Sequence, residues 1–191
     1  MAVFLLTHAR MKSAIFFERD GVLNLVEVRG SQQVVPKSVD EFQLNPAARP
    51  VLTRLKQAGY LILVTTNQPG VSCGYLPRRE LDRMHDLLRR CLPVDDILVC
   101  PHDEMDQCPC RKPGTGLLTE AGFKHHLNLE QCFVVSDKWQ DAKAAEYVGA
   151  TSLLLKSPWN GNGHHDFILP NLEAIAEKIL ASPISAAAAV G

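Results

Sequence analysis

Apolar runs of strand length recur along the chain and constrain its fold more than any other feature of the sequence. They are nearly unbroken by polar residues, which is typical of strands that are covered on both faces. Segments with helical periodicity lie between them, and this alternation predicts a single doubly wound, Rossmann-like parallel sheet flanked by helices. The predicted strands are residues 14–17, 60–66, 96–100, 132–136 and 151–155, and the predicted helices are residues 47–58, 77–91, 116–127 and 140–148.

Length and composition favour one domain. With 191 residues, 46% of them hydrophobic, the chain can bury one sizeable core but hardly two. We expect this domain to span residues 13–181. Met11 opens a segment that would make a natural start, so residues 1–12 are predicted to be an N-terminal extension. The alanine-rich residues 182–191 are predicted to be a flexible tail.

The charge balance argues against nucleic acid and membrane surfaces as partners. The chain has 20 Lys and Arg against 21 Asp and Glu, and no basic block stands out. No stretch approaches the roughly 18 apolar residues of a membrane span, and the apolar run near the N-terminus is too short for a secretory signal. We therefore expect a cytoplasmic monomer that acts on a small molecule.

Polar side chains follow several of the predicted strands at the point where each strand ends. Glu18 and Asp20 follow the first, Thr66 and Asn67 end the second, and Asp137 follows the fourth. In doubly wound sheets, ligands bind beyond the carboxyl ends of the strands. The three acids together suit Mg²⁺, which takes oxygen ligands, although any single strand-end acid is also a common helix cap.

Two short segments suggest a phosphate site. The sequence "TTNQPG" places Thr66 and main-chain N–H groups at a strand-to-turn junction, where they would cradle phosphate oxygens. Taken alone, this segment is also ordinary turn chemistry. Arg111 and Lys112 lie at the entrance to a predicted helix, where they would either bind a phosphoryl group or remain solvated surface charges.

Soft metal ligands cluster in the segment "CPHDEMDQCPC", residues 100–110. Two pairs of Cys or His residues, each pair with one residue between its members, flank a five-residue loop. The four side chains match the ligand set of a closed tetrahedral Zn²⁺ site, and we favour this over free thiols or a disulfide. Because no coordination position stays open, the zinc is predicted to be structural. The ligands are Cys100, His102, Cys108 and Cys110.

Four segments together resemble the signature regions of capless haloacid dehalogenase superfamily phosphatases. The nearest family is that of the heptose 1,7-bisphosphate and histidinol-phosphate phosphatases, and the likeness covers about residues 13–156. The resemblance implies a Mg²⁺-dependent phosphatase of a small phosphorylated metabolite, with the 7-phosphate of D-glycero-D-manno-heptose 1,7-bisphosphate as the expected target. The segments are "FFERDGVLN", "VTTNQPGVSCGY", "CPHDEMDQCPCRKPGTGLL" and "VVSDKWQDAKAAEYVGA".

The resemblance also implies a role for each position. Glu18 stands where the family has its nucleophilic aspartate, and Asp20 where it has the general acid and base. Thr66 and Lys112 would hold the transferring phosphoryl group. The implied further phosphate or substrate contacts are Asn67, Arg111 and Lys138, and the implied magnesium ligands are Glu18, Asp20 and Asp137.

Three positions depart from the family pattern. Glu18 has one more methylene than aspartate, which moves its carboxylate by about 1 Å, and such a misplacement can cost on the order of 100-fold in rate. Ser136 replaces a glycine, and Cys73 replaces an arginine. Alternatives to the heptose bisphosphate phosphatase are therefore a histidinol-phosphate phosphatase, a catalytically impaired phosphosugar-binding homologue, and a chain in which Glu18 was introduced to trap a bound state.

Overall fold

A computed structural model of the protein describes residues 12–30 and 32–182. Its central element is a six-stranded parallel sheet, and a separate two-stranded hairpin lies beside it. The strands are β1 (Ala14–Glu18), β2 (Glu27–Arg29), β3 (Gln32–Val34), β4 (Leu61–Asn67), β5 (Asp96–Cys100), β6 (Phe133–Ser136), β7 (Thr151–Leu155) and β8 (Phe167–Leu169). The order in the large sheet is β5-β4-β1-β6-β7-β8, and the hairpin pairs β2 with β3.

Strand β1 occupies the centre of the sheet and the point where the direction of winding changes. It pairs with β4 on one side, where Glu18 is opposite Thr65, and with β6 on the other, where Phe17 is opposite Val135. Successive strands are added outward on both sides of β1 and β6, so the crevice between these two strands is a topological switch point. Doubly wound sheets bind ligands at such a crevice.

Helices cover both faces of the sheet, which explains why the strands are apolar throughout. The helices are α1 (Ala48–Gln57), α2 (Arg78–Cys91), α3 (Gly116–His125), α4 (Trp139–Val148) and α5 (Leu172–Leu180). Side chains of β1 alternate between two buried clusters: Phe17 belongs to the one beneath α1, α2 and α5, and Phe16 to the one beneath α3 and α4. The predicted doubly wound fold is confirmed.

The predicted strands and helices agree with the structure to within two residues at each end. The third predicted helix stops early, at His125, because His126 adopts the left-handed conformation with φ 54°. The sequence prediction missed β8, α5 and the β2–β3 hairpin. Each missed strand is three residues long and at least partly exposed, so none produces a buried apolar run.

The predicted terminal segments lie, apart from Lys12 and Ser182, outside the described residues. The Lys12 N–H donates to the His126 carbonyl oxygen at 3.2 Å, which ties the start of the described chain to the end of α3. No large cap covers the carboxyl edge of the sheet in the described ranges, where the β2–β3 hairpin is the neighbouring element. None of the described helices combines the length and the apolar character needed to cross a bilayer.

Candidate active site

Residues from separate strand ends meet in one cleft of about 240 Å³ at the carboxyl edge of the sheet. Six of the predicted site residues line it: Glu18, Asp20, Asn67, Arg111, Lys112 and Lys138. Thr66 and Asp137 are buried and bonded to groups around this cleft. The structure thus brings the predicted carboxylate and phosphate residues together, whereas Cys73 is exposed and its Sγ lies 3.5 Å from Asp103 Oδ2.

The Glu18 carboxylate is buried and saturated with hydrogen bonds. Oε1 accepts from Thr66 Oγ1 at 2.9 Å and from the Arg19 N–H at 2.9 Å, while Oε2 accepts from Lys112 Nζ. Burial alone would raise the pKa of Glu18, but the Lys112 and Lys138 ammonium groups outweigh it and lower the pKa to about 2. The carboxylate is therefore ionised at neutral pH, as a nucleophile must be.

Lys112 holds two carboxylates together. Its Nζ donates to Glu18 Oε2, to Asp141 Oδ1 at 2.5 Å and to the Thr65 carbonyl oxygen at 3.0 Å, so all three of its protons are used. Burial opposes the charge on Lys112, yet the two carboxylates raise its pKa. Burial and the nearby Glu18 charge raise the pKa of Asp141 to about 6, against the opposing pull of Lys112.

Asp20 is fixed by neighbours that the sequence prediction missed. The Arg19 guanidinium donates to both carboxylate oxygens, with Nη2 at 3.0 and 2.9 Å, and Gln68 Nε2 donates to Oδ2 at 2.7 Å. Arg19 is itself fully buried, with Nη1 3.1 Å from His85 Nε2 and its guanidinium carbon 5.3 Å from the centroid of the Phe42 ring. The carboxylate orientation is therefore set by a rigid shell.

Oxygen atoms of opposite loops face each other across the switch point. Lys138 Nζ lies 2.9 Å from the Asp20 main-chain oxygen and 3.2 Å from Asp137 Oδ1. Asp137 Oδ2 accepts from Gln33 Nε2 at 2.5 Å, whereas Oδ1 has its ion pair with Lys138 and no further hydrogen bond among the described residues. Burial raises the pKa of Asp137. Asp137 Oδ1, the Asp20 main-chain oxygen and the Glu18 carboxylate would suit a hard divalent cation in place of the Lys138 ammonium group.

Gly21 allows the Asp137 carboxylate and the Gln33 amide to lie close to the loop after β1. Its φ is +89°, and a Cβ built there would lie 2.5 Å from Asp137 Oδ2 and 3.1 Å from Gln33 Nε2. Any larger residue would therefore displace the Asp137 carboxylate as well as strain the backbone.

The four predicted zinc ligands converge at the end of β5. Their donor atoms all lie within 4.8 Å of one another, and the shortest separations are 3.3 Å for His102 Nδ1 to Cys110 Sγ, 3.4 Å for Cys108 Sγ to Cys110 Sγ and 3.5 Å for Cys100 Sγ to Cys108 Sγ. A tetrahedron with Zn–S bonds of 2.3 Å has S···S edges of about 3.8 Å, so the cluster fits a zinc ion with slight expansion. Arg111 Nη1 donates to the His102 carbonyl oxygen at 3.2 Å, which links the Cys/His segment, residues 100–110, to the cleft.

Several residues of the site carried only weak signals in the sequence. Gln68 lies two residues after Thr66, and this spacing places both on the same side of an extended segment. Asp141 lies in the first turn of α4, just after the end of β6, and acidic residues are common in the first turn of a helix, so its sequence position alone did not indicate a role in the site. Arg19 lies between two candidate acids, and Gln33 lies in a hairpin without a hydrophobic pattern, so neither was detectable.

Comparisons with known proteins agree with this geometry. Residues 109–174 match the family model described as HAD-hydrolase-like. The chain is 34% identical over 151 residues to the D-glycero-beta-D-manno-heptose-1,7-bisphosphate 7-phosphatase of Pseudomonas aeruginosa, covering 76% of this chain and 82% of that protein. It is 32% identical over 145 residues to the histidine biosynthesis bifunctional protein HisB of Campylobacter jejuni, covering 73% of this chain but only 40% of that protein.

A solved structure supports the same relationship. The D,D-heptose 1,7-bisphosphate phosphatase of B. bronchiseptica, crystallised with magnesium and phosphate, superposes with a TM-score of 0.78 at 29% identity and covers 88% of this chain and 98% of its own. The fold, the site geometry and these relatives lead to one conclusion. The chain belongs to the haloacid dehalogenase superfamily, in the family of the heptose-bisphosphate and histidinol-phosphate phosphatases, and is a phosphoric monoester hydrolase.

Proposed function

We propose that the chain is a Mg²⁺-dependent phosphatase of a phosphorylated sugar and that its substrate is D-glycero-D-manno-heptose 1,7-bisphosphate, from which it removes the 7-phosphate. The observation that carries this proposal is the convergence of an ionised Glu18, an oriented Asp20, Thr66 and Lys112 in one cleft at the switch point. The relatives that are named for this substrate support it, because they align over most of their length.

The cation would be held by Glu18, by Asp137 and by Asp20, the last through its main-chain oxygen because its carboxylate is engaged by Arg19 and Gln68. When bound, Mg²⁺ would neutralise charge on the phosphoryl group. Lys138 Nζ now lies between two of these oxygens, so it must turn toward the substrate when the ion binds.

In the proposed reaction, Glu18 attacks phosphorus while Asp20 gives its proton to the departing alkoxide oxygen. A glutamyl phosphate forms as the bond to the leaving group breaks. Asp20 then takes a proton from water, which attacks phosphorus and releases inorganic phosphate and the Glu18 carboxylate. Thr66 and Lys112 would hold the phosphoryl oxygens, and Arg111, Asn67 and Lys138 would contact the rest of the substrate.

With Glu18 we expect a lower rate than with aspartate at this position, because the longer side chain already accepts the hydrogen bonds that the phosphoryl group needs. Thr66 Oγ1, the Arg19 N–H and Lys112 Nζ all donate to this carboxylate. Part of this arrangement has to open before a phosphoryl group can enter. This observation also favours a second candidate, a catalytically impaired homologue that binds phosphosugars without efficient turnover.

Histidinol phosphate is the alternative substrate, because the HisB proteins are 32% identical to this chain. A panel of heptose 1,7-bisphosphate, heptose 7-phosphate and histidinol phosphate would separate these candidates. We expect Mg²⁺-dependent phosphate release that is fastest from the bisphosphate, both in the wild type and, at a higher rate, in Glu18→Asp. Failure of both proteins to release phosphate from every ester would overturn the proposal, and binding without release would favour the impaired homologue.

We propose that Cys100, His102, Cys108 and Cys110 hold a structural Zn²⁺, because their donor atoms have tetrahedral separations. Elemental analysis of the protein purified without added metal should find one zinc per chain. Absence of zinc after purification in metal-replete medium would contradict this. None of the six cysteines, all of which lie in the described part of the chain, forms a disulfide, and this suits the reducing cytoplasm, where we propose that the protein acts.

A further inference from the structure

A second cleft of about 770 Å³ opens beside the first and shares part of its lining. The two clefts share four lining residues, Gln33, Arg111, Lys138 and Gln140, and are therefore adjacent. The remaining lining residues are Gln32, Trp139, Pro158, Trp159 and Gly161. The hydrolytic reaction does not by itself require any of these five residues.

Trp139 forms one wall of this second cleft. It begins α4 immediately after Lys138, and 41% of it is exposed. The main-chain N–H of Trp139 donates to the Trp159 carbonyl oxygen at 3.0 Å. Gly161, with φ +64°, lies so close that a Cβ there would be 3.2–3.4 Å from three atoms of Trp139. The loop after β7 therefore packs against one part of the Trp139 side chain and leaves the rest facing solvent.

The same loop is anchored to the catalytic side of the molecule. Ser157 Oγ and Asn160 Nδ2 both donate to the Asp137 carbonyl oxygen, the latter at 3.1 Å, and Asn160 Nδ2 also donates to the Leu155 carbonyl oxygen at 2.9 Å. Because Asp137 is a proposed magnesium ligand, the aromatic wall has a defined position relative to the reacting phosphorus. Preorganised walls of this kind fix the orientation of a ligand at low entropic cost.

The chemistry of the lining discriminates between leaving groups. Three glutamine amides offer both donors and acceptors, which suits hydroxyl groups, and the indole of Trp139 offers a flat apolar surface. Arg111 and Lys138 are cationic, and none of the described residues that line this second cleft is acidic. A polyhydroxylated ring with a second anionic group would find partners here, whereas an amine would meet two cations in the lining. The neighbouring carboxylates are already paired with these cations, Glu104 with Arg111 at 3.5 Å and Asp137 with Lys138 at 3.2 Å.

We propose that Trp139, Gln32 and Gln140 form a leaving-group subsite that selects a polyhydroxylated, anionic leaving group over a cationic one. This inference rests on the proposed phosphatase function and names the residues that determine its substrate class. Trp139 would stack on the apolar face of the ring, and the glutamines would bond its hydroxyl groups. The subsite predicts discrimination against histidinol phosphate, whose leaving group carries an ammonium ion.

The first test compares Trp139→Ala with Trp139→Phe, which retains an aromatic surface. The ratio of kcat/KM for heptose 1,7-bisphosphate to that for acetyl phosphate, which has no ring, should fall about tenfold in Trp139→Ala, mainly through KM. Trp139→Phe should restore most of this ratio. An unchanged ratio in Trp139→Ala, or an equal loss in both variants, would overturn the stacking role.

The second test adds a negative charge at the rim. Gln32 lines only the second cleft of the two, so Gln32→Glu should lower kcat/KM for the bisphosphate about fivefold and raise it for histidinol phosphate. Gln32→Leu provides a control of similar size without charge, and it should lower kcat/KM for the bisphosphate without favouring histidinol phosphate. Parallel changes for the two esters in Gln32→Glu would contradict the proposed charge selection.

A binding measurement separates this inference from the proposed function. The chain has two tryptophans, so the emission change on adding heptose 1,7-bisphosphate with Mg²⁺ should persist in Trp159→Phe and disappear in Trp139→Phe. A response that depends on Trp139 without any phosphate release would overturn the phosphatase proposal and leave the subsite standing. Phosphate release together with an emission change that is the same in Trp139→Phe as in the wild type would overturn the subsite and leave the phosphatase proposal standing.

Discussion

The Cys/His hairpin, residues 100–110, and the candidate catalytic cleft solve the problem of buried polar groups in opposite ways. The hairpin collects its four donor atoms from eleven consecutive residues, and these atoms contact chiefly one another. The cleft collects its polar groups from strand ends and helix starts spread over more than a hundred residues, and pairs nearly every one of them. If the hairpin holds the proposed zinc ion, its structure depends on that ion, whereas the cleft is a bonded network of protein groups.

This difference has energetic consequences. The cleft holds Lys112 between Glu18 and Asp141, so removing one partner leaves a buried charge uncompensated, which is costly. The hairpin contains little apolar surface, and its exposed Met105 contributes no core packing. Its order would come from the free energy of metal binding. We therefore expect substitutions that remove a charge from the cleft to affect both turnover and stability, and substitutions in the hairpin to act mainly on stability.

The largest expected effect is in the cleft, at Asp20. Asp20→Asn keeps the size of the side chain but removes the proton donor, so kcat for the bisphosphate should fall about 1,000-fold, or roughly 4 kcal/mol. Phosphate release with saturating Mg²⁺ measures this, and the zinc content should not change. A loss of less than tenfold would show that Asp20 is not the general acid.

In the hairpin, Cys108→Ser should remove a zinc ligand and destabilise the protein by about 3 kcal/mol. Thermal unfolding measures the effect, and elemental analysis should show that zinc is lost. The matched control is Cys73→Ser, because Cys73 is exposed and outside the cluster, and it should change stability by less than about 0.5 kcal/mol. Equal stability of the two variants would remove the structural role of the cluster.

Glu18→Asp sharpens the comparison because it should change the cleft without affecting the hairpin. Shortening the side chain withdraws the carboxylate from Thr66 and Lys112, which frees these donors for the phosphoryl group. We expect kcat to rise about 100-fold, or roughly 2.7 kcal/mol. A rate equal to or below that of the wild type would mean that the loop has adapted to the longer side chain.

The smallest expected effect is a pH dependence from His85, beneath the cleft. Burial, followed by the Arg19 charge, lowers the pKa of His85 from 6.5 to about 3. Because the unfolded chain then binds the proton more readily, the wild type should lose about 1.4 kcal/mol of unfolding free energy between pH 7.5 and 5.5. His85→Gln should lack this loss in urea denaturation, since its amide oxygen can still accept from Arg19.

His165, which is only half-buried and lies in the loop after β7, supplies the control for this measurement. His165→Gln should retain the pH dependence of the wild type. If His85→Gln and the wild type lose the same stability on acidification, the destabilisation originates elsewhere, and proton competition for the thiolates of the hairpin becomes the explanation to examine.

The parts of the fold that could be predicted are those in which burial leaves a periodic pattern. Strands such as β1 and β4 are covered on both faces, so their apolar runs are continuous, and they were predicted correctly. The β2–β3 hairpin has no buried face and produced no pattern, yet it supplies Gln33 to Asp137. The bond between Gln33 and Asp137 depends on how the hairpin and the loop after β6 lie in the folded chain, so the sequence pattern could not predict it.

The candidate site divides in the same way. The zinc ligands and the strand-end acids are identifiable because their residue types and spacing specify a chemistry locally. The residues that orient them are Arg19, Gln68 and Asp141, which are ordinary residue types. The partners of Gln68 and Asp141 are distant in the sequence, and Arg19 can bond its neighbour Asp20 only in one particular local geometry. Asp141 illustrates the limit: its place in the first turn of α4 is ordinary for an acidic residue and does not indicate that it bonds Lys112.

By itself, the sequence determined the doubly wound class, the clustered thiol and imidazole ligands and the presence of glutamate at position 18. These follow from periodicity, spacing and identity, which are local properties of the chain. The tertiary structure decided that the Glu18 carboxylate is bonded to Thr66 and Lys112, and that Trp139 faces the cleft that would receive the leaving group. Such outcomes depend on which strand ends and loops meet, and that is set by packing over the whole domain.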